Sequence, residues 1–195
     1  PANTLVCLSL LGLSASGTYG FSLLLVTISS GMAQVWTLVK WPTVGQLRIK
    51  QDHAALRRLL WPRVWLQYLT YWALAIAAIV AVPALLRWHH SEKSLLPVLW
   101  LSLLALNGFL DMNCSFWNTL ISMENRLPMV WPMLIGNVAS FLLIVVLAKT
   151  TSLGLAAFVV SPLTVGLLFN YWKWPHEGAR SIGVSWLRFL LKRQS

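Results

Sequence analysis

Five stretches of this 195-residue chain, at about 18–39, 64–86, 95–120, 129–148 and 153–172, run on apolar residues with Asp111 as the single charge among them. A sixth, at 4–14, is shorter. Each of the five approaches or exceeds the roughly 20 residues a helix needs to cross about 30 Å of hydrocarbon. Lipid offers no water to satisfy backbone N–H and C=O groups, so every crossing segment must be helical. The pattern predicts an all-α integral membrane protein, a bundle of about six transmembrane helices whose first member is truncated. Residues 1–172 form the transmembrane unit, with a basic loop at 40–63, and residues 173–195 form a cytoplasmic or interfacial tail.

The connections between these stretches sort the cations. Numbered alternately, one side receives Lys40, Arg48, Lys50, Arg57, Arg58, Arg63, Arg126, Lys173, Arg180, Arg188, Lys192 and Arg193. The other side receives Arg87, Lys93 and Lys149. Short loops rich in Lys and Arg stay cytoplasmic. The reading is a multi-pass membrane protein with its C-terminus inside.

Composition agrees, with 57% hydrophobic and 10% charged residues, where a soluble domain carries about a quarter charged. A net charge of +10 also suits nucleic acid, but no basic and aromatic run lies on a soluble surface. No nucleic-acid partner is expected. Trp36, Trp41, Trp61, Trp65, Trp88, Trp131, Trp172 and Trp174 fall near span ends, where an amphipathic ring prefers the headgroup layer. Cys7 and Cys114 both lie in apolar segments and read as packed thiols, a disulfide being the alternative. The chain opens on Pro1 close to a short apolar segment, which reads as a fragment beginning in or just before its first helix.

The uncharged run Ser14-Ala15-Ser16-Gly17 predicts an outside hairpin turn between the first two helices. The second helix should stop at Lys40-Trp41-Pro42, and a short basic helix or a solvated loop should follow at 43–60. Trp61-Pro62 places proline in the first turn of the third span, where its missing N–H costs nothing. Pro162 predicts a kink in the sixth. His89, His90 and Glu92 share one outside loop; the loop reads as interfacial and no metal site is expected.

The chemistry concentrates on the fourth span. At 100° per residue, Asn107, Asp111, Cys114 and Asn118 fall within about 60° of one another, and Asn125 extends the line. A carboxylate at that depth is costly unless paired, hydrated or protonated, so it should face protein or a water-filled cavity. The stripe reads as the wall of a hydrophilic cavity; the alternative is hydrogen bonding between helices. Gln34 on the second span, Arg63 and Gln67 on the third, and Asn137 with Ser140 on the fifth are the candidates to join it. No HExxH, no Gly-rich phosphate loop, no Ser/His/Asp set and no paired carboxylates at depth occur. Neither catalysis nor a cofactor is expected.

Several cues in order carry a resemblance. Gly17-Thr18-Tyr19-Gly20-Phe21-Ser22 opens a helix that ends at Trp41-Pro42. A basic stretch with Arg48 to Asp52 and Leu56 to Leu59 follows, then the inside loop Met123-Glu124-Asn125-Arg126, then Thr151-Ser152-Leu153-Gly154-Leu155-Ala156-Ala157 before the last span. This order resembles the C-terminal half of polysaccharide flippases, in the superfamily of multidrug, oligosaccharidyl-lipid and polysaccharide exporters. The resemblance implies one six-helix lobe of a two-lobe transporter that alternates between inward-facing and outward-facing states. It implies an undecaprenyl-diphosphate-linked oligosaccharide as substrate, the lipid bilayer of a bacterial inner membrane as surroundings, and a missing N-terminal lobe or a second copy as partner. Such flippases often place cations in the cavity, whereas the deep charge here is Asp111. The rival classes are a membrane-embedded glycan-assembly enzyme (a polymerase or acyltransferase) and a non-transporting scaffold subunit.

Overall fold

The computed structural model describes residues 2–88, 94–125 and 127–191. His89, His90 and Glu92, like Lys93, Arg126, Lys192 and Arg193, lie outside the described residues. The described chain is helical throughout, as α1 (Ala2–Leu38), α2 (Trp41–Ile49), α3 (His53–Trp88), α4 (Val98–Ser122), α5 (Val130–Thr150), a 3-10 turn (Gly154–Ala156), α6 (Ala157–Leu168), α7 (Asn170–Arg180) and α8 (Trp186–Leu191). Among the described residues four helices are long and apolar enough to cross a membrane, or five if α6 and α7, bent by 41°, make one span.

α1 is two antiparallel arms. At Gly12 the backbone takes φ 86° and ψ 179°, which strongly favours glycine, and the chain folds back on itself. Ser16 Oγ then donates to the Thr4 carbonyl at 3.0 Å. Gly20 leaves room for Thr4, whose Cγ2 would sit 3.4 Å from an added Cβ. The expected hairpin is present, but it turns at Gly12 and not at Ser14–Gly17; of the two glycines, Gly12 takes positive φ and Gly17 stays helical.

α3 runs unbroken through 36 residues, so Pro62 lies inside a helix and not in its first turn. The surface helix and the third span have merged from His53 onward. Arg63 Nη1 donates to the Leu59 carbonyl at 2.9 Å, in the turn that Pro62 deprives of an amide.

The sixth span also differs from expectation. Pro162 lies inside α6, but the 41° bend falls at Phe169, between α6 and α7. The helix then continues to Arg180, well past 172. Tyr171, Trp174, Pro175, Gly178 and Ala179 are buried on one face of α7, which packs along α4. Gly178 permits this approach, since a Cβ there would come within 2.6 Å of the Trp117 ring. Trp174 is therefore a core residue, not an interfacial one. α8 is held as well, with Phe189 buried edge-on against Trp117 at 5.4 Å.

One end of the bundle gathers the basic connections. Arg48 of α2 pairs with Glu124 after α4 and donates to Ser181 Oγ at 2.6 Å after α7. Arg57 Nη1 donates to the Ile182 carbonyl at 3.0 Å. At the opposite end Thr18 and Ser94 share a 2.7 Å hydrogen bond. The connections that the charge pattern assigned to one side do meet at one end.

Candidate functional site

α4 carries the polar stripe because its hydroxyl and amide residues recur at helical spacing, and two cavities lie along it. The first, of about 670 Å³, runs from mid-helix toward the basic end between α1, α4 and α5. The second, of about 440 Å³, runs from mid-helix the other way, between α1, α4, α5, α6 and α7. Asn107, Asp111, Cys114 and Asn137 border both. The stripe thus stands where the two cavities meet.

Asp111 opens onto this space, whereas Asn107 and Asn118 are only 7% and 8% exposed. Tyr171 of α7 reaches in, its hydroxyl lying 2.8 Å from Asn107 Oδ1 and 2.9 Å from Asp111 Oδ1. A single hydroxyl hydrogen cannot make two full hydrogen bonds. With the Asn107 amide turned so that its NH2 donates to Tyr171, the hydroxyl is free to donate to Asp111. Gly166 makes the placement of Tyr171 possible, because a Cβ there would sit 2.2 Å from the ring. Gly108, one turn from Asp111, lets α1 and α3 close on α4. A Cβ there would meet Val26 at 2.3 Å and Tyr71 Oη at 2.8 Å.

Asn118 is less well served. Its Nδ2 approaches only sulfur, Cys114 Sγ at 3.4 Å and Met133 Sδ at 3.5 Å, and its buried Oδ1 has no partner. Among the described residues lining either cavity there is no Lys, Arg or His, and Asp111 is the one charged group.

The other expected residues divide. Gln34 and Asn137 line the first cavity, and Ser140 lines the second. Gln67 does not reach either cavity. It is fully buried in the α1–α3 seam, accepting from Thr37 Oγ1 at 2.8 Å, because its face of α3 packs on α1. Arg63, bonded to its own helix, lines neither cavity. Asn125 leaves the stripe, since the chain has turned by then and holds it at φ 61°. Both cysteines are free and buried. Among the described residues no group of three His, Cys, Asp or Glu is placed to hold a metal ion.

Tyr171 and Asn170, which borders the second cavity, were not anticipated. The available signal was the spacing of Tyr171, Trp174, Pro175, Gly178 and Ala179, a 3.6-residue face that starts in the sixth span and runs on into the segment read as tail. Comparison with protein-family models, with curated proteins and with solved structures found no match.

Proposed function

We propose that this chain is one lobe of a membrane transporter that moves a lipid-linked oligosaccharide, carried on undecaprenyl diphosphate, from the cytoplasmic to the outer leaflet of a bacterial inner membrane. The observation that carries the reading is the position of Asp111. It sits with Asn107 and Tyr171 where two cavities, each with a polar strip on an otherwise apolar lining, meet along α4, between helices whose outer faces are apolar. A carboxylate set so deep among apolar helices is expected to touch substrate or water.

The remainder of the reading follows from the resemblance and the charge sorting. The groove is half of a central cavity, and a second six-helix lobe or a second copy supplies the other half. The basic end faces the cytoplasm and the C-terminus lies there. Alternation of the two lobes exposes Asp111 first to one side and then to the other.

The test is surface-glycan export by the full-length protein carrying Asp111→Ala and Asn107→Ala. Export should fall at least about tenfold if each loses a hydrogen bond to a charged or buried partner. Wild-type export at normal protein levels would rule the reading out.

A further inference from the structure

The cavity toward the basic end sets a polar strip beside an apolar remainder that includes Val26, Leu127, Met129 and Val130. Its α4 wall carries Ser115, Asn118, Thr119 and Ser122, and its α1 wall adds Ser30 and Gln34. All of these are neutral groups that both donate and accept hydrogen bonds or carry both functions on one amide. At the inner end stands Asp111, and no cation lines the space among the described residues. Asn118 has an acceptor oxygen in a side chain 8% exposed, with no partner. An unmade hydrogen bond at a buried atom is costly, so this oxygen is short of a donor.

We propose that this half of the groove is a subsite for the neutral sugar portion of a glycolipid and rejects its phosphates. The inference rests on the transport reading for the identity of the lipid, but the choice between sugar and phosphate rests on the lining alone. A phosphate brought beside Asp111 would place like charges together in a poorly screened setting with nothing to neutralise either. A polyol meets the opposite circumstances. Each hydroxyl donates and accepts, so it can donate to Asp111 and to the oxygens of Thr119 and Ser122, whose own hydrogens go to the Ser115 and Thr119 carbonyls, while accepting from Ser115 and the Gln34 amide. The cations that hold the diphosphate therefore belong outside this wall.

The experiment compares two probes that differ only in headgroup, octyl glucoside below its micellar concentration and octyl diphosphate. The full-length protein is placed in phospholipid nanodiscs with Cys7→Ser, Cys114→Ser and Ser115→Cys, and labelling of position 115 by a small charged methanethiosulfonate is timed. Octyl glucoside should slow labelling about tenfold at saturation, and octyl diphosphate should leave it unchanged. Adding Asp111→Asn should weaken protection by the glucoside about tenfold, the loss of one hydrogen bond to a charged group. Protection by the diphosphate equal to or greater than that by the glucoside would overturn the proposal, as would no protection by the glucoside. If Ser115→Cys does not fold, Thr119→Cys on the same wall reports the same competition. Failure here with export still dependent on Asp111 removes the sugar subsite and leaves transport standing. Protection by glucoside with export indifferent to Asp111 does the reverse.

Discussion

α4 and α5 are both long enough to span a bilayer, yet they are built in opposite ways. α4 is the less apolar, with a best-window hydropathy of 1.3 against 2.2 for α5. It is nevertheless the more buried, with 39% of that window inside the protein against 6%. In water this order would be reversed, because apolar burial drives folding there and large exposed apolar patches are avoided. In lipid the tails are as apolar as Leu, so the apolar helix can stay outside while the polar one must turn inward. The contrast between these helices is the structural reason to read the solvent around the bundle as lipid. It is also the reason the polar path runs along α4.

The sharpest way to break the contrast is to place one charge on each helix. Val138 on α5 is 51% exposed, and Ser115 on α4 opens onto the cavity. Val138→Lys should cost about 3 kcal/mol of insertion, the charge being set in lipid near the middle of the span. Ser115→Lys should cost much less, and the fraction of protein resisting carbonate extraction reads the difference. Equal recovery of the two variants would mean that the exposed face of α5 meets water.

A second comparison uses one added methyl on each helix. Gly108→Ala drives a Cβ into Val26 and the Tyr71 hydroxyl, and overpacking of this kind costs about 2 kcal/mol. On α5, Gly136→Ala meets the end of the Asn170 side chain at 2.9 Å and Val165 at an ordinary 3.8 Å, so Asn170 must shift within the hydrogen bond it accepts from Trp174. Its cost should stay below about 1 kcal/mol. Thermal unfolding in nanodiscs should separate the two variants clearly.

The path itself is sharpened by Tyr171→Phe, which removes the hydroxyl shared by Asn107 and Asp111 and keeps the ring. The loss should be about 1 kcal/mol, with reduced glycan export at normal protein levels. The smallest effect is expected from Lys173→Ala. Its 3.0 Å pair with Glu177 is a third or more exposed on both sides, and such pairs contribute at most about 1 kcal/mol and usually a few tenths.

Much of this contrast was legible in the residues. Hydropathy marked both spans, and the 100° repeat gathered Asn107, Asp111, Cys114 and Asn118 onto the face that borders the cavities. What hydropathy could not show was where helices break. Gly12 and Gly17 both tolerate positive φ, and the break falls at Gly12 because the packing of Thr4 against Ser16 and Gly20 closes the hairpin there. α3 absorbed its surface helix because nothing between His53 and Pro62 stops a helix once tertiary contacts hold it. Gln67 was misplaced because a lone amide on a helix face serves a helix seam as well as a cavity. Tyr171 was missed because it follows a bend at Phe169 that resets the helical phase, so its approach to Asp111 is a tertiary fact. The α7 face was nonetheless present as a repeat in the sequence.

The α4 face should see water at depths where the α5 face sees lipid. With Cys7 and Cys114 replaced by Ser, single cysteines at 111, 135 and 142 in the full-length protein can be challenged with a membrane-impermeant thiol reagent. Cysteine at 111 should react readily, and cysteines at 135 and 142, which replace exposed apolar residues of α5, should stay unlabelled. Equal reactivity at all three positions, or a silent 111 beside a reactive 135, would contradict this contrast.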